Sequence, residues 1–144
     1  KEITSEIKLS KLFEEIEKNL GNKNLQIFIN NEVILKGRPQ ALKRSFENII
    51  QNGLTYGSNV KVNIQKSSNR ALIIFEDDGP GIPEDQFKNV FKPFFRLDKS
   101  RSLNKSGVGL GLAIVEDIIN SHGGNIQLGK SQFSGLQVKI SLPF

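Results

Sequence analysis

The 144-residue chain has no cysteine, which excludes disulfides, thiolate nucleophiles and zinc–thiolate sites. Its absence fits a reducing, cytoplasmic setting. A single histidine, His122, excludes any site needing two imidazoles, paired-histidine zinc motifs included. No apolar run approaches the roughly 18 residues of a membrane-spanning helix. Internal repeats, low-complexity runs and interdomain linkers are also missing. Lys1 stands at the start without Met and no signal-peptide pattern follows it. The expectation is a piece of a longer protein, whose membrane segments would lie outside these residues.

What remains is an ordinary globular balance, 37% hydrophobic and 24% charged. A chain of this length suits one domain, 1–144, able to bury roughly two-thirds of its unfolded surface. The net charge of +5 is concentrated. Lys88, Lys92, Arg96, Lys99, Arg101 and Lys105 face Asp98 alone between 88 and 105, so the rest of the chain is neutral. Such a patch suits a bound anion, although a solvated basic loop has the same composition.

The apolar pattern changes period along the chain. A strand-like opening carries Ile3, Ile7 and Leu9. Ser10 as N-cap and Gly21 as stop bracket an amphipathic helix over Lys11–Leu20. Leu25–Ile29 and Val33–Leu35 read as short strands around the turn Asn30-Asn31. Pro39 opens a long helix in which Leu42, Phe46, Ile49, Ile50 and Leu54 recur at helical spacing, ended by Gly57-Ser58. Val60–Ile64 and Ala71–Phe75 form a hairpin around Ser67-Ser68-Asn69. A short helix is expected over Glu84–Phe91, and Lys92–Ser106 has no period. A compact domain rarely holds so long an irregular stretch unless it is a functional lid. Leu112–Ser121, with Ile114, Val115, Ile118 and Ile119, is a helix stopped by Gly123-Gly124, and Ile126/Leu128 with Leu136/Val138/Ile140/Leu142 form a closing hairpin. The fold class is α+β, a two-layer sandwich with helices on one face of a mixed, mostly antiparallel sheet.

Four segments can carry chemistry. Gly107-Val108-Gly109-Leu110-Gly111 opens the last helix, where free N–H groups and the positive dipole end attract phosphate. Asp77, in Asp77-Asp78-Gly79-Pro80-Gly81, ends an apolar strand and would be half buried. An ionised carboxylate only accepts hydrogen bonds, so it suits an exocyclic amine such as adenine N6 and opposes the carbonyl of guanine. Asn48, Asn52 and Tyr56 share one helix face, and an amide oxygen is a plausible Mg²⁺ ligand beside phosphate oxygens. The basic stretch lies just upstream of the glycines. Each has a plainer explanation: a hinge, a turn cap, surface amides, a solvated loop. A fifth string, Gly124–Ser131, matches the P-loop pattern, but a helix precedes it and its residues alternate as a strand, so the P-loop reading is rejected.

The order of these segments resembles the ATP-binding catalytic domain of bacterial sensor histidine kinases, within the GHKL superfamily of Bergerat-fold ATPases. Asn48–Asn52 resembles the N box, Asp77–Ile82 the G1 box, Phe91–Arg96 the F box and Gly107–Val115 the G2 box. The chain is most similar to osmosensor kinases of the EnvZ type. The resemblance implies a Bergerat fold with an ATP lid at approximately 92–107. It implies that Asn52 binds Mg²⁺, that Asn48 supports it or the phosphates, that Asp77 holds adenine N6 and that Tyr56 lines the base or ribose. Gly79, Gly81 and Ile82 would complete the base side. Arg96, Leu97 and Arg101 in the lid, and Gly107, Val108, Gly109, Leu110, Gly111 and Leu112, would form the phosphate side. Phe91, Phe94 and Phe95 would dock the lid or a partner helix. Thr55 departs from the family, where Lys or Arg is common, so one phosphate contact is missing or replaced.

Gyrase and the heat-shock chaperones of the superfamily carry a general-base Glu where Asn48 stands. Glu47 is adjacent but about 100° round the helix. An amide does not take a proton at neutral pH, so the resemblance implies ATP positioned without efficient hydrolysis. His122 sits at a helix end, where it complements the dipole and is structural. The phosphoacceptor would lie on a separate dimerisation domain of the same protein, with a response regulator downstream. The isolated domain is expected to be a monomer that does not phosphorylate itself and binds no nucleic acid. Rival readings are an anti-sigma-type serine kinase of the same superfamily and a non-enzymatic basic module binding nucleic acid, whose affinity would fall steeply with salt.

Overall fold

The computed structural model describes residues 2–93 and 111–144. In chain order the elements are β1 (Ser5–Lys8), α1 (Leu9–Leu20), β2 (Leu25–Ile29), β3 (Ile34–Gly37), α2 (Pro39–Tyr56), β4 (Val60–Ser67), β5 (Arg70–Asp77), α3 (Leu112–Ser121), β6 (Asn125–Lys130) and β7 (Leu136–Pro143). A five-stranded sheet has the order β2-β4-β5-β7-β6, with β2 parallel to β4 and the other pairs antiparallel. A two-stranded antiparallel ribbon pairs β1 with β3.

Strict alternation builds the sheet. Val60, Val62 and Ile64, then Ala71, Ile73 and Phe75, then Val138, Ile140 and Leu142 are buried on one face, because successive strand side chains point to opposite sides. The helices cover that face. Phe13 of α1 stacks on Phe46 of α2 at 5.1 Å between ring centroids, and Phe75 of β5 meets them at 6.3 and 5.9 Å. Such aromatic pairs contribute about 0.5–1.5 kcal/mol each beyond the area they bury. Among the described residues no helix is long and apolar enough to cross a membrane.

Several boundaries differ from the sequence expectation, each for a tertiary reason. α1 starts at Leu9, and neither Ser10 nor the cap residue Lys8 makes a side-chain cap. Leu9 is fully buried and its N–H donates to Val33 O at 2.9 Å, so a neighbouring loop fixes the helix entry. Gly21 does close the helix, in the left-handed conformation at φ +52° with its N–H on Glu17 O. The two short strands do flank Asn30-Asn31, with β2 paired to β4 and β3 to β1. Asn30 N–H donates to Ile64 O and Asn31 Oδ1 accepts from Lys66 N–H, which stitches that turn to β4. The helix expected over Glu84–Phe91 is two single 3-10 turns, Glu84–Gln86 and Asn89–Phe91. Asn89 Nδ2 donates to Gln86 Oε1 at 3.1 Å, a local side-chain bond of the kind that competes with helix. In α3 the buried stripe is Leu112, Val115 and Ile119, whereas Ile114 is 67% exposed.

α2 begins with Pro39 in its first turn. The next free donors, Gln40 N–H and Ala41 N–H, go to the Glu2 carboxylate at 2.6 and 3.1 Å, where the positive end of the helix favours an anion. His122 joins α3 to the start of α2. Its Nε2 accepts from Arg38 N–H at 3.0 Å and its Nδ1 lies 2.7 Å from Ile118 O, so the proton sits on Nδ1. The residue has a structural role through these two bonds to the backbone.

Candidate functional site

Along the inner face of α2 the buried stripe Leu42, Phe46, Ile49 and Ile50 gives way to Asn52, Gly53 and Tyr56. Where packed side chains stop, a cleft opens. Ile49, Asn52, Gly53 and Tyr56 form its helical wall. Val60, Phe75, Glu76, Asp77, Leu136 and Val138 form the floor, and Pro80, Gly81, Ile82 and Leu112 the remaining sides. The lining is mostly apolar, with few polar groups, the pattern of a small-molecule site.

Asp77 is the half-buried carboxylate at the end of β5. Its Oδ1 accepts from Gly79 N–H at 2.9 Å and from Leu136 N–H at 3.1 Å. Burial pushes the carboxyl above its ordinary range, the two backbone bonds oppose this, and the charge of Asp78 adds to the rise. Two glycines make the position possible. A Cβ on Gly53 would lie 2.6 Å from Val60 Cγ2 and 3.2 Å from Asp77 Cβ, and a Cβ on Gly135 would overlap Asp77 itself.

Asp78 has the opposite environment. It accepts from Ser58 N–H at 2.7 Å, Asn59 N–H at 2.8 Å and Asn59 Nδ2 at 2.9 Å, which fastens the loop after α2 to the turn after β5. Those three donors hold its carboxyl at about 2. Gly81, at φ +75°, turns the chain so that Ile82 folds back into the core.

The structure therefore gathers Asn52, Tyr56, Asp77, Gly81, Ile82 and Leu112 around one cleft. Three other residues singled out from sequence stand beside it. Gly79 backs Asp77 with its N–H, and Asn48 Nδ2 donates to Gly111 O at 3.3 Å, linking α2 to the start of α3. Arg96, Leu97, Arg101, Gly107, Val108, Gly109 and Leu110 lie outside the described residues, as do Phe94, Phe95 and all of the expected lid beyond Lys92-Pro93. Phe91 is half buried against the core. Thr55 is exposed on the outer side of α2. The rejected P-loop string runs along β6 as a strand, and its Ser131 donates to Glu76.

Sequence reading missed the apolar floor and the glycines. The signals were available: the period-2 alternation that places Phe75 on the same face as Asp77, and a lone Gly53 inside a long helix, which usually has a packing reason. Glu47, one residue before Asn48, points elsewhere and accepts from Asn19 Nδ2 of α1 at 3.4 Å. Among the described residues no three His, Cys, Asp or Glu side chains converge as a metal cage. Chemically, the cleft offers a mostly apolar lining with the fixed Asp77 carboxylate among its few polar groups.

Residues 37–144 match the family of histidine kinase-, DNA gyrase B- and HSP90-like ATPases. Similar proteins include the sensor histidine kinase GtrS of Pseudomonas aeruginosa, 37% identical over 107 residues, or 74% of this chain and 22% of that protein. The sensor histidine kinase CpxA of Escherichia coli is 38% identical over 110 residues, 76% of this chain and 24% of that protein. The chain thus spans about a quarter of the length of these curated relatives. The solved histidine kinase domain of the E. coli osmosensor EnvZ is 34% identical at a TM-score of 0.75, covering 99% of this chain and 91% of that one. The mycobacterial sensor histidine kinase MprB, at 24% identity and a TM-score of 0.82 over 98% and 97% of the two chains, shares the fold.

Proposed function

This chain belongs to the histidine kinase-, DNA gyrase B- and HSP90-like ATPase family, among the ATP-binding catalytic domains of bacterial sensor histidine kinases, and on that premise we propose that it seats Mg-ATP in the cleft beside α2 and delivers the γ-phosphoryl group to a histidine on a separate dimerisation domain. The observation that carries the reading is Asp77: a half-buried carboxylate at the base of an apolar slot, with Oδ1 fixed by two N–H donors. Oδ2 is then the oxygen that accepts from adenine N6. A guanine carbonyl at that point would oppose it acceptor to acceptor. Ile49, Val60, Ile82 and Val138 exclude water from the faces of the base, and Tyr56 borders it.

The residues present suit Mg²⁺ held largely by phosphate oxygens and water, with Asn52 as its protein ligand, since the cation needs no all-protein cage. When bound, the cation neutralises phosphate charge. Transfer of this kind rests on positioning and on charge neutralisation more than on covalent help from the protein. Among the described residues the two candidates for a general base at this point of α2 do not serve: Asn48 is an amide held to Gly111, and Glu47 is turned to α1. The site therefore holds ATP for a partner nucleophile without efficiently hydrolysing it. His122 is not that nucleophile, because both ring nitrogens are committed to backbone groups. We assign the acceptor histidine, a downstream response regulator and a cytoplasmic setting to the longer protein.

Calorimetry with Mg-ATP, Mg-GTP and metal-free ATP tests this. Mg-ATP should bind at least about tenfold more tightly than Mg-GTP, the scale of one hydrogen bond to a charged group replaced by an unpaired acceptor. Asn52→Ala should abolish the difference between Mg-ATP and metal-free ATP. Equal wild-type affinity for the two purines would overturn the base assignment.

A further inference from the structure

Asp77 and its neighbour Glu76 leave β5 on opposite faces, yet both hold the same turn. Glu76 is 8% exposed, a depth at which a carboxylate needs donors. Its donors come from the β6–β7 turn, 55 and 56 residues away in sequence. Oε1 accepts from Ser131 Oγ–H at 2.9 Å and from Gln132 N–H at 3.1 Å, with Gln132 Nε2 at 3.5 Å from Oε2. Ser131 Oγ accepts in turn from Phe133 N–H at 3.0 Å, so three groups of the turn converge on one carboxylate. The turn is closed by Ser131 N–H on Gly135 O at 2.8 Å, and Lys61 Nζ lies 5.7 Å from the Phe133 ring centroid on the same side. The residue that follows this closed turn is Leu136, whose N–H reaches through to Asp77 Oδ1.

We propose that Glu76 is a positioning residue for purine selection: by clamping Ser131 and Gln132 it sets the β6–β7 turn so that Leu136 N–H fixes Asp77 Oδ1 and leaves Oδ2 toward the base. This deepens the nucleotide reading above and rests on it for its link to purine choice. The turn lies so close to Asp77 that it carries glycine at 135, where a Cβ would overlap both the Asp77 carboxylate and its backbone carbonyl. Glu76 touches no nucleotide in this scheme. It acts through the turn, and a neutral amide with the same acceptor oxygen should replace it.

The test uses the 144-residue chain with Glu76→Ala, Ser131→Ala and Glu76→Gln. Two quantities are read: exchange of the Leu136 amide by NMR in nucleotide-free protein, and the ratio of GTP to ATP dissociation constants. Circular dichroism establishes that each variant is folded. Glu76→Ala and Ser131→Ala should speed Leu136 exchange and lower the purine ratio by about fivefold, the scale of one lost orienting hydrogen bond. Glu76→Gln should keep both near wild type. If Glu76→Ala does not fold, Ser131→Ala, which removes only a hydroxyl, decides. Folded variants with unchanged Leu136 exchange and an unchanged ratio overturn the proposal, as does failure of Glu76→Gln to preserve either quantity. A wild type that does not prefer ATP would sink the purine reading instead, and in that case the exchange arm decides for or against the clamp by itself.

Discussion

The two halves of α2 face the same way and do opposite things. In the first, Leu42 and Phe46 are fully buried, and Phe46 packs against Phe13 and Phe75. In the second, Asn52, Gly53 and Tyr56 occupy the continuation of that face and border a cleft. The helix is regular throughout, so its geometry does not make the difference. Side-chain size does: a phenylalanine reaches the sheet, whereas Gly53 brings backbone within a Cβ's width of Val60 and Asp77 and leaves room on either side. A site is thus made by leaving a core unfinished in one place, and the finished half carries the stability that the open half lacks.

The largest expected effect separates the halves by stability. Phe46→Ala should cost about 3–5 kcal/mol in denaturant unfolding while leaving the ratio of ATP to GTP affinity unchanged in whatever fraction remains folded. If purine preference fell with it, the two halves would not be independent. Asp77→Asn is the converse. It should weaken ATP binding by about 10- to 100-fold, the loss of a charged acceptor worth roughly 1.5–3 kcal/mol, and relax the bias against GTP, as read by calorimetry. Its folding stability should not fall at neutral pH. The folded carboxyl is raised by burial, so its favourable contribution is present below the ordinary carboxylate range and lost as pH rises through the raised value. The amide removes that loss.

The smallest effect sharpens the comparison between adjacent carboxylates. Asp78 is lowered from 3.8 to about 2, so its stabilisation is present above 3.8 and disappears as pH falls toward 2. Thermal unfolding of Asp78→Asn should show a flatter pH dependence in that window than wild type, with neutral-pH nucleotide affinity little changed. A loss of affinity as large as that of Asp77→Asn would mean that the loop Asp78 holds is part of the site.

What the sequence made legible was local. The alternation in β4, β5 and β7 and the helical spacing of α2 and α3 give the layers directly, because they depend on period alone. Asp77 could be singled out because it ends an apolar strand, where a carboxylate is half buried, although a turn cap leaves the same signature. Ser10 misled, since a serine before an apolar run reads as a cap, and only the distant Val33 carbonyl shows why Leu9 begins the helix. The Asn30-Asn31 turn was legible as a turn between two short strands, but not its anchorage, since its amides answer to β4. Gly135 and the Glu76–Ser131 bond were out of reach because their meaning lies in close approaches across the fold, which no spacing along the chain encodes.

One arrangement has a mechanical corollary. α3 is bolted to α2 at two points, through His122 and Arg38 at one extremity and through Gly111 and Asn48 at the other. Two bolts brace a pair of rods against scissoring where one would leave a pivot. Widening or narrowing of the slot is thereby handed to the opposite bank, the bends after β5 and β6, and those are the places where an incoming molecule of slightly different shape would be accommodated or refused.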